Sequence, residues 1–298
     1  MSAQTIDRKA IPLILFISLI WSGNIVSIKI AAHEIPPMAM ATLRFAIAGG
    51  GIFLYCILRN ISLRLNRGEI KYHLISGGLF SMQIGLFYLG TYQAIAAHAA
   101  VLIHTNIFFV AILTHFFIPD DRLTLKKVIG LSVAFLGILL IFSDRLSHPD
   151  VSYTGNLIIL TSALILAGKT LYIKRLIDTI HPVKVVFWQM AFGVPLLSGF
   201  SILLLETPPV TYSAQLIAIL FYQGLIVGAF CFVVSTHLLK RYPASQMVSF
   251  STTVPIFGVI LCHLILGEAI TPYLTISLGL VTAGIFLINV QESAIAQE

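Results

Sequence analysis

The sequence is poor in charged residues. Only 10% of its 298 residues are Asp, Glu, Lys or Arg, whereas 58% are hydrophobic and the mean hydropathy is +0.96. A soluble domain carries roughly a quarter of charged residues, so this composition excludes an ordinary soluble protein and makes lipid the solvent for most of the chain. The net charge is +6. No basic run alternates with polar residues, however, so we expect no nucleic-acid partner.

Cysteine is also scarce, and the three cysteines form no CxxC pair. Cys56, Cys231 and Cys262 each lie inside an apolar stretch, which is typical of small buried residues rather than of a disulfide framework or a zinc site. The sequence has no G-x-S-x-G motif and no paired carboxylates within an apolar segment. An intramembrane enzyme is therefore the weaker interpretation, and we expect no enzymatic activity.

Histidine is common, but its spacing does not favour a metal. His98, His104, His115 and His263 fall in or near the fourth and ninth apolar segments, without an HxxxH or HExxH motif. His104 and His115 share a helix face but lie about 16 Å apart along it. We therefore expect no metal and no other cofactor. His104, beside Thr105 and Asn106, could instead line a polar path.

Ten apolar segments make up most of the chain, and they predict an all-α membrane protein with ten transmembrane helices. None of the connections between them exceeds about 15 residues, which leaves no room for a soluble domain between helices. The first segment is longer than a signal-peptide core and no A-x-A site follows it, so we interpret it as an uncleaved helix. The segments are 10–32, 36–58, 72–94, 97–117, 127–143, 155–175, 182–205, 213–237, 243–266 and 272–290.

The positive charges predict the orientation of these helices. If both termini are cytoplasmic, fourteen of the eighteen Lys and Arg residues fall on the cytoplasmic side and only Arg145 falls outside. Cytoplasmic loops are enriched in Lys and Arg, so the bias favours this orientation in the inner, cytoplasmic membrane. The remaining three cations, Lys29, Arg44 and Lys169, lie within helices.

The two halves of the chain resemble each other. "SGNIVSIKI" at 22–30 aligns with "AGKTLYIKR" at 167–175, and the segment 119–141 aligns with 266–288, where Gly137 meets Gly284. Each half, 1–145 and 146–298, contains five segments. Because five is odd, the halves must enter the membrane in opposite directions. Such an inverted repeat is the architecture that secondary transporters use for alternating access around a site at the bilayer midplane.

These motifs resemble those of the drug/metabolite transporter superfamily, in its ten-helix EamA-type branch. The residues that carry the resemblance are "WSGNIVSIKIA" at 21–31, "PPMAMATLRF" at 36–45, "YLGTYQAIAAHAAVLI" at 88–103, and the glycine-bearing ends "GLSVAFLGILLI" and "GLVTAGIFLI". The resemblance covers about 10–290. It implies an exporter of small metabolites, often amino acids or related compounds, and it names no single substrate.

The three cations within helices are the first candidates for a binding site, because charge inside a membrane is costly. Arg44 lies about 12 Å below the outer surface at 1.5 Å per residue, where its guanidinium could bind a carboxylate or phosphate. Lys169 is also deep in its helix, whereas Lys29 is close to a helix end and is assigned to a vestibule. The alternatives are snorkelling of the two lysines to the interface and a structural role for Arg44.

Other candidates lie at similar depth or could bend a helix. Tyr88 and Tyr92 are one helical turn apart and could form an aromatic wall, although packing within the bundle is the alternative. Pro195 and Pro255 are candidate hinges. The remaining predicted substrate-binding residues are Asn24, His104, Trp188 and Gln189.

The acidic residues complete the functional prediction. All twelve map to termini, connections or helix ends, and a proton-coupled exporter of cationic drugs normally needs a carboxylate within the membrane. Lys and Arg residues within the helices, where no Asp or Glu accompanies them, favour solutes that bear a carboxylate or phosphate. The sequence therefore predicts a secondary transporter that exports amino acids or related carboxylates. A multidrug exporter and an exchanger of phosphorylated metabolites remain alternatives. The expected partners are a small solute and the lipid bilayer, in a monomer or dimer.

Overall fold

The computed structural model describes residues 10–117, 124–144, 152–204, 206, 212–241 and 253–295, and all secondary structure within them is helical. The described chain forms ten helical segments. They are α1 (Ala10–Ala31), α2 (Pro37–Leu58), α3 (Ile70–Gln93), α4 (96–117), α5 (Leu125–Ser143), α6 (Tyr153–Ile177), α7 (Pro182–Leu203), α8 (214–241), α9 (Thr253–Leu266) and α10 (Pro272–Ile295).

Eight of these helices are long and apolar enough to cross a membrane, and α9 and α10 supply two shorter apolar stretches, Thr253–Leu266 and Pro272–Leu287. Large apolar side chains cover the outside of the bundle; Leu58, Phe116 and Ile202 are 71%, 73% and 75% exposed. Polar side chains such as Gln83 and Gln223 are buried inside. This distribution fits lipid as the solvent and confirms the prediction of an all-helical, multi-pass membrane protein.

Two helices are locally irregular. In α4, a 3-10 turn (Ile103–Thr105) joins Ala96–Leu102 to Asn106–Phe117. In α8, a π-helical stretch (Tyr222–Cys231) separates Ala214–Phe221 from Phe232–Arg241. π-Helical turns are rare and are often found at functional sites. Here the stretch contains Gln223 and lies against α2.

Glycine permits the close contact between α8 and α2. A Cβ on Gly224 would lie 2.6 Å from a side-chain carbon of Ile47 and 3.0 Å from the Arg44 carbonyl oxygen. These distances are too short for any larger residue, so the absence of a side chain at 224 lets α8 approach the backbone that carries Arg44.

The helix pairings define the bundle. α3 packs against α6 and α7, while α8 packs against α1 and α2. α4 packs against α6 and α9, and α9 also contacts α1; α2 pairs with α7 and α5 pairs with α10. In the last pair, Gly137 lies against Ser277 and Val281, and Gly284 lies against Gly130 and Ala134. Residue numbers therefore rise along α5 while those of the contacting residues fall along α10, so the two helices run antiparallel.

Two glutamates cap the N-termini of helices that are far from them in the sequence. The Glu206 carboxylate accepts hydrogen bonds from Met38 N and Ala39 N at the start of α2 (3.0 and 3.1 Å). The Glu268 carboxylate accepts from Ala96 N and Ala97 N at the start of α4, both at 2.8 Å. An anion at this position satisfies free N–H groups and interacts favourably with the helix dipole.

Some predicted features lie outside the described residues. They are the start of the aligned segment 119–141, the predicted beginning of the ninth helix at 243–252, and the outward cation Arg145. The predicted boundaries of the other helices agree with the structure to within five residues, and the largest difference is at the end of α10, which was predicted at 290 and lies at Ile295.

Candidate functional site

A chain of buried hydrogen bonds runs from Arg44 across three neighbouring helices. Arg44 Nη1 donates to the Tyr88 hydroxyl (2.6 Å), and that hydroxyl donates to Gln223 Oε1 (2.9 Å). Gln223 Nε2 then donates to Ser27 Oγ (2.7 Å), which donates to the Asn24 carbonyl oxygen (2.7 Å). None of these five residues is more than 7% exposed. The chain fixes the guanidinium in one place inside the bundle.

The Arg44 guanidinium retains unused donor capacity. Its Nε has no hydrogen-bond partner among the described residues, and no described carboxylate forms an ion pair with it. The guanidinium carbon lies 4.6 Å from the centre of the Phe45 ring and 5.8 Å from that of Tyr88. Aromatic faces stabilise a cation but do not neutralise it. Arg44 can therefore bind an anion without first breaking an ion pair.

Lys169 forms a second buried cationic group. Its Nζ donates to Gln83 Oε1 (2.8 Å) and lies 5.3 Å from the centre of the Phe80 ring. Gln83 Nε2 donates to Ser162 Oγ (3.3 Å), and Ser162 Oγ donates to the Gln83 carbonyl oxygen (2.7 Å). Lys169 is 6% exposed, so its side chain points into the bundle and does not snorkel to the interface.

The two cations lie on either side of one aromatic pair. The rings of Phe45 and Phe80 meet edge to face, with centroids 4.6 Å apart. Arg44 contacts the first ring and Lys169 contacts the second. On α3, their hydrogen-bond partners Tyr88 and Gln83 are five residues apart, about 7.5 Å along a helix. The structure thus brings two sequence-predicted cations into one connected region.

Lys29 and Tyr92 lie together near the ends of α1 and α3. Lys29 Nζ donates to the Tyr92 carbonyl oxygen (3.3 Å), and the Tyr92 hydroxyl donates to the Ile35 carbonyl oxygen and contacts Met40 Sδ (3.6 Å). Both side chains are half-buried. No hydrogen bond among the described residues joins Lys29 or the Tyr92 side chain to the Arg44 chain, and the vestibule position of Lys29 stays a prediction.

The other predicted site residues differ in their burial and in their hydrogen-bond partners. The Asn24 side chain is 7% exposed and its Oδ1 has no partner among the described residues. Gln189 is 1% exposed, and its Oε1 likewise has no partner in that part of the chain. His104 is bonded through Nδ1 to the Ala100 carbonyl oxygen (2.8 Å). Trp188 instead donates to the Leu63 carbonyl oxygen (3.0 Å) in the α2–α3 connection, so it is not joined to Arg44.

The two prolines occupy different positions in their helices. Pro195 lies inside α7, where its ring removes an internal hydrogen bond. Pro255 lies in the first turn of the described part of α9, and position 251, four residues before it, is outside the described residues. Only Pro195 therefore interrupts a hydrogen-bond ladder that the structure describes.

An ion pair and a cavity lie at the opposite end of the bundle from Glu206 and Glu268. Lys184 Nζ donates to Glu69 Oε2 (2.6 Å), joining the starts of α7 and α3. The hydrogen bond from Lys184 lowers the pKa of the Glu69 carboxyl below its usual value. Beside it, a cavity of about 500 Å³ is lined by Glu69, Tyr72, Tyr172 and Arg175, among others.

Sequence reasoning missed the neutral partners of the two cations. In the sequence these partners are ordinary polar residues within apolar segments. Only the hydrogen bonds that they form between helices reveal their role; they are Ser27, Gln83, Ser162 and Gln223. A glutamine within a membrane segment was the one available signal, since an unpaired amide in lipid is costly.

A helical bundle with an apolar exterior and with Arg44 and Lys169 buried between its helices is typical of a membrane protein that handles a charged solute. The EamA-like transporter family matches residues 8–143 and again residues 153–290. The chain belongs to this family, and it is a membrane transporter rather than an enzyme.

Individual relatives and a solved structure agree with this assignment. The chain is 28% identical to the uncharacterized transporter YoaV of Bacillus subtilis, over 92% of this chain and 94% of the relative. It is 26% identical to a probable amino-acid metabolite efflux pump of Salmonella typhimurium, over 94% and 95%. It is 24% identical to the S-adenosylmethionine/S-adenosylhomocysteine transporter of Chlamydia muridarum, over 96% and 93%. One crystal structure of 18% identity shares the fold, with a TM-score of 0.65, covering 96% of this chain and 99% of that one.

Proposed function

We propose that this transporter exports small metabolites that carry a carboxylate, amino acids foremost, and that Arg44 binds the carboxylate. The observation that carries the proposal is the buried guanidinium of Arg44, which is held by Tyr88 and has no acidic partner among the described residues. A buried charge without a counterion is costly. An anionic solute that reached it would provide the missing charge, and the planar fork suits a carboxylate.

The surroundings of Arg44 supply the other parts of a solute site. Lys169 and Gln83 offer a second polar group on the far side of the Phe45–Phe80 pair. The rings provide apolar surface for a solute side chain. We assign substrate contact to Asn24, Arg44, Tyr88, Tyr92, His104, Lys169, Trp188 and Gln189, with Lys29 in the vestibule. Trp188, bonded to Leu63, is the member with least structural support.

An inverted repeat of two five-helix halves, 1–145 and 146–298, is the proposed basis of alternating access. The helix pairings support it: exchanging α1 to α5 with α6 to α10 turns each principal pairing into another that is observed. The packing of α3 on α6 and α7, for example, corresponds to that of α8 on α1 and α2. The two matches to the family, one in each half, and the reciprocal glycine contacts of Gly137 and Gly284 support it as well.

The proposed orientation places ten transmembrane helices in the cell inner membrane with both termini in the cytoplasm. It follows from the bias of Lys and Arg to one side. Under this orientation, Glu206, Glu268 and Lys29 lie toward the outside, while the Glu69–Lys184 pair and its cavity face the cytoplasm. Export then moves the solute from the side of Lys169 toward the side of Arg44.

A second candidate function is exchange of phosphorylated metabolites, which the presence of two cations favours, since a phosphate carries more charge than a carboxylate. Export of cationic drugs has less support, because no described carboxylate pairs with Arg44 or Lys169. The names of the Salmonella typhimurium and Escherichia coli relatives, which are probable amino-acid metabolite efflux pumps, favour amino acids.

Counterflow in reconstituted vesicles tests the proposal. Vesicles loaded with one unlabelled amino acid should take up the same labelled amino acid faster than empty vesicles, and an amino-acid mixture should compete. Sugar phosphates and a quaternary ammonium drug should be tested as competitors in parallel. Strong competition by the phosphates alone would favour the second candidate, and competition by the drug alone would contradict an anion site at Arg44.

A further inference from the structure

A second buried group of polar side chains lies apart from Arg44 and Lys169. His98, near the start of α4, contacts Asp144, which follows α5, with 3.0 Å between Nε2 and Oδ2. Its other ring nitrogen lies 3.3 Å from Nδ2 of Asn156 on α6. Each of the three residues is at most 1% exposed. We call these three residues the His98 cluster.

The hydrogen bonds of the His98 cluster leave acceptors unused. Asn156 Nδ2 donates to His98 Nδ1, so that nitrogen carries no proton, and Nε2–H donates to Asp144. The imidazole is then neutral and the carboxylate keeps its charge. Asp144 Oδ1 and Asn156 Oδ1 are both buried without a hydrogen-bond partner among the described residues. A buried acceptor without a hydrogen-bond donor is unfavourable, because it has lost its bonds to water.

One added proton would change both the charge balance and the hydrogen bonding of the cluster. A proton on His98 Nδ1 makes the ring cationic, and its charge compensates that of Asp144. The Asn156 amide must then turn over, because its NH₂ group cannot face an N–H, and the unused Oδ1 becomes the acceptor. The orientation of an amide is assigned from its hydrogen bonds. The opposite orientation would describe the same cluster with the proton already bound.

The charged groups around His98 partly offset the cost of burying a cationic ring. Glu268 follows α9 in the sequence. Its carboxylate accepts hydrogen bonds from Ala96 N and Ala97 N, the two residues directly before His98. Lys29 on α1 is the nearby cation, and His263 Nδ1 is bonded to the Glu268 carbonyl oxygen. The described parts of α3, α6 and α10 bring no further charged side chain to this end, and Arg145 lies outside the described residues. Two carboxylates thus face one ammonium.

We propose that the His98 cluster is a proton-binding site open to the outside during the transport cycle, and that its proton is exchanged for the exported solute. The connection to the solute site is α6, which carries Asn156 at one end and Lys169 further along. A proton that turns the Asn156 amide changes the contacts of α6 with α4 and α5. The exchange rests on the proposed export of solutes, whereas proton binding at His98 does not.

The binding of the proton can be tested without any solute. Protein labelled with ¹⁵N-histidine in lipid nanodiscs should show a ring resonance that disappears in H98Q and that changes from the neutral to the cationic form as the pH is lowered. In D144N the midpoint of this titration should be displaced, because the carboxylate compensates the ring charge. H33Q is the matched control, since His33 is exposed and on the same side of the bundle. A His98 resonance that does not titrate, or an unchanged midpoint in D144N, overturns the proposal.

The exchange is tested by transport in vesicles. A pH gradient is applied in which the side of the external face is more acidic by one unit. Exchange of one proton per solute can then raise the solute concentration on that side to at most about tenfold that on the cytoplasmic side. Wild-type protein and H33Q should show this accumulation, and H98Q and D144N should lose it while retaining counterflow. Accumulation that persists in H98Q overturns the exchange. Absence of counterflow in the wild type contradicts the proposed function instead, and the titration still decides whether His98 binds a proton.

H98Q and D144N must insert into the membrane and remain monodisperse in detergent. If either fails to do so, N156L supplies the second test, because it removes the amide but keeps His98 and Asp144. N156L should titrate with a displaced midpoint. An N156L protein with the wild-type midpoint would contradict the role of the amide.

Discussion

The Arg44 guanidinium donates a 2.6 Å hydrogen bond to the Tyr88 hydroxyl, and neither residue is more than 4% exposed. Tyr88 passes this bond on to Gln223. One phenol therefore links the cation on α2 to the π-helical stretch of α8. Because α2, α3 and α8 meet at this hydroxyl, its loss should affect both stability and transport.

Tyr88→Phe tests this link. The change leaves Gln223 Oε1 and one Arg44 N–H without their partner, and we expect a loss of about 1–3 kcal/mol in the free energy of unfolding. Solute counterflow should also fall. Thermal unfolding in detergent and counterflow in vesicles are the measurements. Tyr212→Phe, at a tyrosine that is 67% exposed, is the control, and equal behaviour of the two variants would contradict the link.

Arg44→Lys separates the charge of Arg44 from the shape of its side chain. A lysine cannot reproduce the bidentate fork, so solute affinity should fall by about 1.5–3 kcal/mol, the value for a hydrogen bond to a charged group. Concentration dependence of counterflow measures the loss. Lys29→Gln should have a smaller effect, because Lys29 is assigned to the vestibule. Normal transport by Arg44→Lys, or failure of Arg44→Gln to fold, would show that Arg44 is structural.

Glu268→Gln tests the cap on α4. The glutamine keeps one acceptor oxygen but removes the second acceptor and the charge at the helix N-terminus, and we expect a loss of about 0.5–2 kcal/mol in stability. Glu206→Gln, which acts on α2 in the same way, is the matched comparison. Chemical unfolding in detergent is the measurement. Two variants as stable as the wild type would show that these bonds contribute nothing.

The Glu69–Lys184 pair predicts a dependence of stability on pH. Lys184 lowers the pKa of Glu69, so the stabilisation is complete above the usual value of about 4.3 and is lost as the pH falls through the lower, folded-state pKa. A double-mutant cycle with Glu69→Gln and Lys184→Met should show a coupling near neutral pH that vanishes in acid. Coupling that is independent of pH would mean that the contact is not ionic.

Reporter fusions test the proposed topology. A reporter joined after Glu298 should be cytoplasmic, and one inserted near Pro149 should be outside, because the two positions are separated by five helices. Alkaline phosphatase and green fluorescent protein, active on opposite sides, give the readout. Both reporters on the same side would contradict the ten-helix count and the inverted repeat together.

The sequence by itself determined the type and the approximate bounds of the helices that the structure describes. α3, for example, was predicted at 72–94 and begins at Ile70 and ends at Gln93. The reason is physical: in lipid each segment must satisfy its own backbone hydrogen bonds, so hydrophobicity over about 20 residues suffices to define a helix. Arg44 and Lys169 were visible for a related reason, because a charge in such a segment is expensive and therefore conspicuous.

Only the tertiary structure decided which side chains meet. Tyr88 and Tyr92 were predicted to form an aromatic wall, but no motif indicated that the Tyr88 hydroxyl would meet Gln223, on the π-helical stretch of α8. Trp188, predicted beside the site, bonds to Leu63 instead. Neutral polar residues pair according to packing between helices, and no periodicity in one segment encodes the partner in another.

The His98 cluster shows the same limit most clearly. His98, Asp144 and Asn156 come from α4, from the residue after α5 and from α6, and the sequence indicated only that Asp144 lies at a helix end. Position at a helix end normally means access to water. Here the packing of three helix ends closes over the carboxylate, and burial arises from the assembled bundle, because no single helix can exclude water from its own terminus.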